Sequence, residues 1–416
     1  MIATVSTNRT VFVHESELFV VQPSMSYSII FVTAQDISQR SGAGIATREI
    51  VQAFVTNSKI HVTLVAPKPR EDLSSELLAD IDRTVFMPQK PESPSLFTHA
   101  KSAVDGFRGM RETLANERPD AIVARMHHTL LAPAFYANRY DLPYFLLARG
   151  NSYKRLRFKQ VLTKVFQFNV RAATEVYAAS NEIQADADRF RRPEQSETQI
   201  MSNAVDPELF TPQPRSEARR KLQLGFRKDD FVVGFVGTMR RMHAVRELVE
   251  SLTYLSDATR VKLLLIGDGE DRGPSEELAS ELGVIDSIVF TGFVPHEEVT
   301  DYISACDITF GAMKRDSATP IKCFEYMAAG RPVIVNDMPE MAFVDERDIG
   351  ATISTVTPEV IAAAIETLSG LDEQERAAMG DRARTYILNN HTWQSAIDSI
   401  VTDLEHLFRT TKRTDR

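Results

Sequence analysis

Short β-branched runs alternate with segments of helical period along almost the whole chain, and that alternation narrows the fold more than any other feature. In the first half the strand candidates are Ser28–Ala34, His61–Ala66, Thr84–Met87, Ala121–Ala124, Pro143–Ala148, Val176–Ala179 and Gln199–Ser202. In the second half they are Phe231–Gly237, Val261–Gly267, Ser287–Thr291, Asp307–Phe310 and Val333–Asn336. A strand, a helical stretch and another strand make a βαβ unit, so the pattern predicts parallel sheets with helices on both faces. Pro207, Pro212 and Pro214 punctuate a polar link between the two groups. Two doubly wound α/β domains are therefore expected, spanning 26–205 and 206–391. With 416 residues, 43% of them hydrophobic, the chain has material for both cores.

The ends read differently. Within residues 1–25 the apolar pieces Val11–Val13 and Phe19–Val21 are interrupted by His14, Glu15 and Glu17. That lacks the unbroken apolar core of a signal peptide, and a poorly ordered leader is expected, with the fold starting near Ser26. From Thr392 to about Arg409, Trp393, Ala396, Ile397, Ile400, Val401, Leu404 and Phe408 recur at helical spacing, so the segment 392–416 holds a helix with one face to bury and a charged tail. No run of 18 apolar residues exists, which excludes a conventional membrane span. A net charge of −9 argues against nucleic-acid binding, which needs clustered cations. Cys306 and Cys323 are too few for a disulfide framework or a metal cage, and free thiols suit a reducing cytoplasm.

One helix is punctuated for chemistry. In ATPIKCFEYMAAGRPV (Ala318–Val333), Thr319 suits an N-cap, Pro320 the first helical position and Gly330 a stop, giving about ten helical residues. The amides of Ile321 and Lys322 have no intrahelical partners, so the start is an anion site at the positive end of the dipole, fit for a diphosphate. Glu325, four residues after Ile321, lies on the same face and is placed to accept from paired hydroxyls such as those of a ribose. The plainer reading is a carboxylate complementing the dipole. Across from it, Gly42-Ala43-Gly44 follows the first strand and opens a helix, a place where backbone approaches phosphate. A Rossmann dehydrogenase is disfavoured, because the third glycine of its fingerprint falls on Thr47 and the second strand ends Val65-Ala66-Pro67 without an acid.

Taken in order, SGAGIATREIV (Ser41–Val51), SNAVDPELFTP (Ser202–Pro212), FVGTMRR (Phe235–Arg241), LLLIGDGED (Leu263–Asp271), VFTGFVPHEEV (Val289–Val299) and FEYMAAGRPVIV (Phe324–Val335) resemble the retaining glycosyltransferases of family 4. The resemblance runs from residue 28 to 408. It implies the GT-B architecture: two Rossmann-like doubly wound domains with a cleft between them, and a C-terminal helix crossing back to the first domain. It further implies a nucleotide-sugar donor held by the second domain, a glycan or lipid-linked acceptor held by the first, and no cofactor. Glu325 matches the family glutamate that binds the donor ribose, and Thr319, Ile321 and Val294 fall in the donor-binding stretches. A second family glutamate, eight residues earlier, is replaced by Ser317, with Asp316 adjacent. The family arginine and lysine that neutralise the diphosphate fall by ungapped counting on Thr238 and His243, with Arg240 and Arg241 between them. Arg240, Arg241 and Lys322 are the expected cationic set, supplying fixed positive potential where the leaving charge grows, without a metal. The family glycine before the hinge valine is Ala204 here.

Four further features remain open. His127-His128 follow a strand in the expected acceptor half, where one of them could orient a sugar hydroxyl or both could be ordinary loop residues. Arg125 and Arg149 end two parallel strands, where open α/β sheets bind ligands, or make surface salt bridges there. The segment Asn151–Arg171 carries six cations and no acid, interleaved with apolar residues, and reads either as a contact with an anionic membrane or as a half-buried helix. A non-catalytic nucleotide- or glycan-binding subunit and a GT-B nucleotide-sugar epimerase stay as alternatives to sugar transfer.

Overall fold

The central strands are apolar runs buried on both faces, and helices cover most of the parallel crossovers among the described residues, as burial of two-sided strands requires. The computed structural model describes residues 11–14, 17–20, 26–39, 41–71, 79–89, 96–150, 159–257, 260–314 and 319–414. Inside the expected leader, β1 (Val11–His14) and β2 (Glu17–Val20) pair antiparallel as a separate ribbon. Strands of four residues are too short to announce themselves by pattern; the rest of 1–25 lies outside the described residues.

The first sheet contains β3 (Tyr27–Val32), β4 (Ile60–Pro67), β5 (Arg83–Met87), β6 (Ala121–Arg125), β7 (Tyr144–Ala148), β8 (Glu175–Ala178) and β9 (Gln199–Ile200). Its order is β5-β4-β3-β6-β7-β8-β9, parallel throughout. The second contains β10 (Phe231–Val236), β11 (Val261–Ile266), β12 (Ile288–Gly292), β13 (Ile308–Phe310), β14 (Val333–Asn336) and β15 (Gly350–Ile353), in the order β12-β11-β10-β13-β14-β15. Sequence reading missed β15, an edge strand that opens on glycine and stays half-exposed. In both sheets the order reverses around the first strand, and the crevice outside the carboxyl ends of β3/β6 and β10/β13 is where such folds hold ligands.

Each sheet has an apolar core on either face. The last helix, Trp393–Thr414, belongs to the first domain's core: Trp393, Ile397, Ile400, Val401 and Leu404 pack with Ile50 and Phe54 of the helix Gly42–Thr56. Asp403 fastens it, accepting from Tyr177 Oη at 2.6 Å and Gln199 Nε2 at 2.7 Å. The chain thus crosses between domains twice, and the crossings touch. Val205 N–H donates to the His391 carbonyl at 3.0 Å, and Val205 bridges Thr392.

Candidate active site

The helix Ile321–Ala328 enters the cleft from the second domain, pinned where Tyr326 Oη accepts from the Val236 N–H at 2.6 Å at the end of β10. It is shorter than the sequence suggests, eight residues, and its start is not capped. Pro320 (φ −68°, ψ 130°) is itself the extended flanking residue, and no side chain bonds the first amides. Thr319 therefore does not cap: it sits one residue too early, its carbonyl accepts from Asn203 Nδ2 at 2.5 Å, and its buried Oγ1 has no partner among the described residues. At the far end Gly330 adopts φ 69°, the left-handed stop anticipated for it.

Lys322 is the unusual group. Its Nζ lies 4.0 Å from the centroid of the Phe235 ring, sealed from solvent, with no acceptor among the described residues. Burial pushes its ammonium down to about 8. His243 is close by. Its Nδ1 donates to the Thr238 carbonyl, and burial, then the charge of Lys322, push the ring down to about 4, so it is neutral at pH 7. The position expected to hold a cation thus presents a neutral imidazole, while an ammonium comes from the neighbouring helix. Arg240 and Arg241 are exposed and make no ion pair with the described residues, and the charge of Arg240 reaches His243.

Glu325 is buried, and His296 Nε2 donates to its Oε1 at 3.0 Å. Burial opposes charge on His296, but the bond and charge of Glu325, with the charge of Glu49, outweigh it and hold the imidazolium above its ordinary range. Phe210 supports the ring edge-on, 5.4 Å between centroids. Glu49 comes from the first domain, on the helix Gly42–Thr56, and burial pushes its carboxyl up to about 7. Neither His296 nor Glu49 was singled out from sequence. A signal existed for Glu49: it follows Gly42 by seven residues, two turns along the same helix face.

Gly42 and Gly44 play different parts. Gly42 is exposed, and a Cβ there would stand 3.9 Å from Ile321 Cδ1, so the two helix starts face each other. A Cβ on Gly44 would lie 2.1 Å from the Gln39 carbonyl oxygen; that glycine serves close packing of the preceding loop rather than an approach to ligand. Its N–H is taken by Ser41 Oγ at 3.3 Å. Val294 packs its side chain into the second core, leaving only backbone for a ligand.

Arg149 makes no surface salt bridge. It donates to the carbonyls of Met201 and Ser202 and to Asn203 Oδ1, and lies 5.8 Å from the Trp393 ring centroid, clamping the hinge. His127 Nδ1 is 2.8 Å from Thr129 Oγ1, and His127, His128 and His99 form a cluster in which His99 meets His128 edge-on. Ser317 and Asp316 lie outside the described residues, as does 151–158. The remainder of that basic segment, the helix Lys159–Ala172, buries Leu162, Phe166, Asn169 and Val170. Its outer face leaves Val161 59% exposed and, with Lys164, Phe168, Arg171 and Arg192, borders a depression of about 410 Å³.

Two Rossmann-like domains facing a cleft, with a last helix returning to the first, make this a GT-B protein. Over 92% of its length it is similar to all of a sucrose-phosphate synthase from Thermosynechococcus elongatus (TM-score 0.74, 17% identity). Over 91% it is similar to all of HepE from Anabaena, solved with UDP (TM-score 0.73, 18% identity). Residues 216–386 match the family model of glycosyl transferases group 1. Among curated proteins, a 2-deoxystreptamine glucosyltransferase from Streptomyces kanamyceticus is 30% identical over 166 residues, 39% of this chain. The chain covers 41% of that relative's length.

Proposed function

We propose that the protein transfers a sugar from a nucleoside-diphosphate sugar, UDP- or GDP-linked, to a glycan or lipid-linked acceptor, with retention at the anomeric carbon. The observation that carries this is the uncapped start of Ile321–Ala328, where free amides meet the buried ammonium of Lys322, which makes no hydrogen bond or ion pair among the described residues. A diphosphate answers all of these groups at once. Glu325, one turn further on and held by one oxygen, keeps the other for the ribose hydroxyls. In this reading the exposed Arg240 and Arg241, on the loop that carries His243, meet the β-phosphate.

As the anomeric C–O bond breaks, negative charge grows on the leaving diphosphate, and fixed positive groups stabilise it there. In the retaining course taken from the family 4 resemblance, the acceptor oxygen attacks from the side the diphosphate leaves, and its proton passes to that phosphate. The chain's residues hold, orient and neutralise; no protein nucleophile and no metal are part of this reading. The outward face of Lys159–Ala172, cationic with Val161 and Phe168 exposed, supports docking on the inner, anionic face of a membrane that carries a lipid-linked acceptor. The cytoplasm is the setting this implies. A thermal-shift panel of nucleoside diphosphates and nucleotide sugars tests the donor site: UDP or GDP raises Tm, and a panel without any rise refutes it. Product analysis with donor alone separates transfer from epimerisation.

A further inference from the structure

The first domain holds a second positive centre, away from the cleft helix. Arg125 ends β6 and Arg149 follows β7, so two guanidinium groups stand together at the carboxyl ends of adjacent parallel strands. Arg149 is committed to the hinge carbonyls. Arg125 is not: it makes no hydrogen bond or ion pair with the described residues, and its Nε is sealed from solvent without an acceptor. Burial pushes it down to about 10, and no carboxylate is near enough to offset that. Arg149, of like sign, feels its charge. A partly buried guanidinium whose Nε is sealed, with no counter-charge among the described residues, gains when an anion completes it, and its planar fork matches two oxygens of a phosphate or carboxylate. The place is also right. Asn203 bonds Arg149 on one side and the Thr319 carbonyl on the other, so a short bridge joins this strand edge to the start of the donor helix.

We propose that Arg125 is the anion-recognition residue of the acceptor site, gripping a phosphate or carboxylate group on the acceptor while the hydroxyl to be glycosylated faces the donor. This rests on the donor-site reading, because it takes the opposite wall of the cleft as occupied by nucleotide sugar.

The test is a thermal-shift series on the full chain with inorganic phosphate, malonate and UDP or GDP as probes, applied to wild type, Arg125→Met, Arg125→Lys and Lys322→Met. Phosphate or malonate raises the wild-type Tm by roughly 2 °C at saturation. Arg125→Met loses that rise, keeps the nucleotide's, and melts no lower than wild type, having shed an uncompensated charge. Arg125→Lys, with charge but no fork, keeps roughly half of the rise. An anion rise that survives in Arg125→Met but vanishes in Lys322→Met puts the anion in the donor cleft and overturns the proposal. So does a wild type indifferent to both anions, or an Arg125→Met protein that melts well below wild type with the rise intact. A wild type that answers the anions but neither nucleotide sinks the donor reading and leaves Arg125 as an anion site.

Discussion

His296 Nε2 reaches Glu325 Oε1 at 3.0 Å, tying the loop before one helix to the acid inside the next. The bond uses one carboxylate oxygen and fixes the aim of the other. His296→Gln is therefore expected to raise the donor KM about tenfold, the worth of one hydrogen bond to a charged group, with kcat within about threefold. Glu325→Ala weakens donor binding further. Because the pair holds the imidazolium above its ordinary range, the grip is complete at low pH and is lost as pH rises through that raised value. Steady-state KM and kcat between pH 6 and 9 check both, and a KM that ignores pH and substitution refutes the role.

Lys322 makes no hydrogen bond or ion pair among the described residues, and only the Phe235 ring and the charge of Glu325 favour its ammonium, so removing it should cost the apo protein little and the complex a great deal. Lys322→Met is expected to weaken UDP or GDP binding about 10- to 100-fold without lowering Tm. Its ammonium is pushed down to about 8, so nucleotide affinity in wild type falls as pH rises past 8. Titration calorimetry at pH 7 and 9 measures this.

Glu49 gives stability a pH dependence of definite sign. Its folded value, about 7, lies above the ordinary 4.5, so the folded state binds more protons across that window and stability falls as pH rises through it. Glu49→Gln removes that slope, and the wild-type and variant Tm curves are expected to separate by roughly 2 °C or more between pH 5 and 8. Superimposable curves would contradict the assignment.

Arg240 and Arg241 stand exposed, their side chains without a partner among the described residues, so their substitution leaves the fold alone. Arg240→Ala or Arg241→Ala is expected to lower kcat about tenfold or more, with Tm unchanged. Unchanged turnover in both refutes their role at the phosphate.

Val161 and Phe168 are exposed on the helix Lys159–Ala172, beside Lys164 and Arg171. Co-flotation with liposomes rich in anionic lipid is expected, weakened at high salt and by Lys164→Glu or Val161→Glu. Flotation indifferent to lipid charge would remove the membrane from the account.

Every strand of the two main sheets except β15 was legible in the sequence, because strands buried on both faces must be continuous apolar runs, and β-branched side chains at short spacing have few other places to go. The return of the last helix was legible too, since an apolar stripe from Trp393 to Leu404 has to be covered by something. What the sequence left undecided is which side chains lack partners. Thr319 reads as a cap until Pro320 takes the flanking position, Arg149 as a surface cation until the hinge carbonyls claim it, and Gly44 as a phosphate glycine until Gln39 fills the space beside it. Glu49 and His296 lie far apart along the chain and come within reach only when two domains close on a cleft. Local pattern determined the elements, because periodicity and turn chemistry act over a few residues. Tertiary structure alone decided the charges, because burial and pairing depend on neighbours that sequence distance does not reveal.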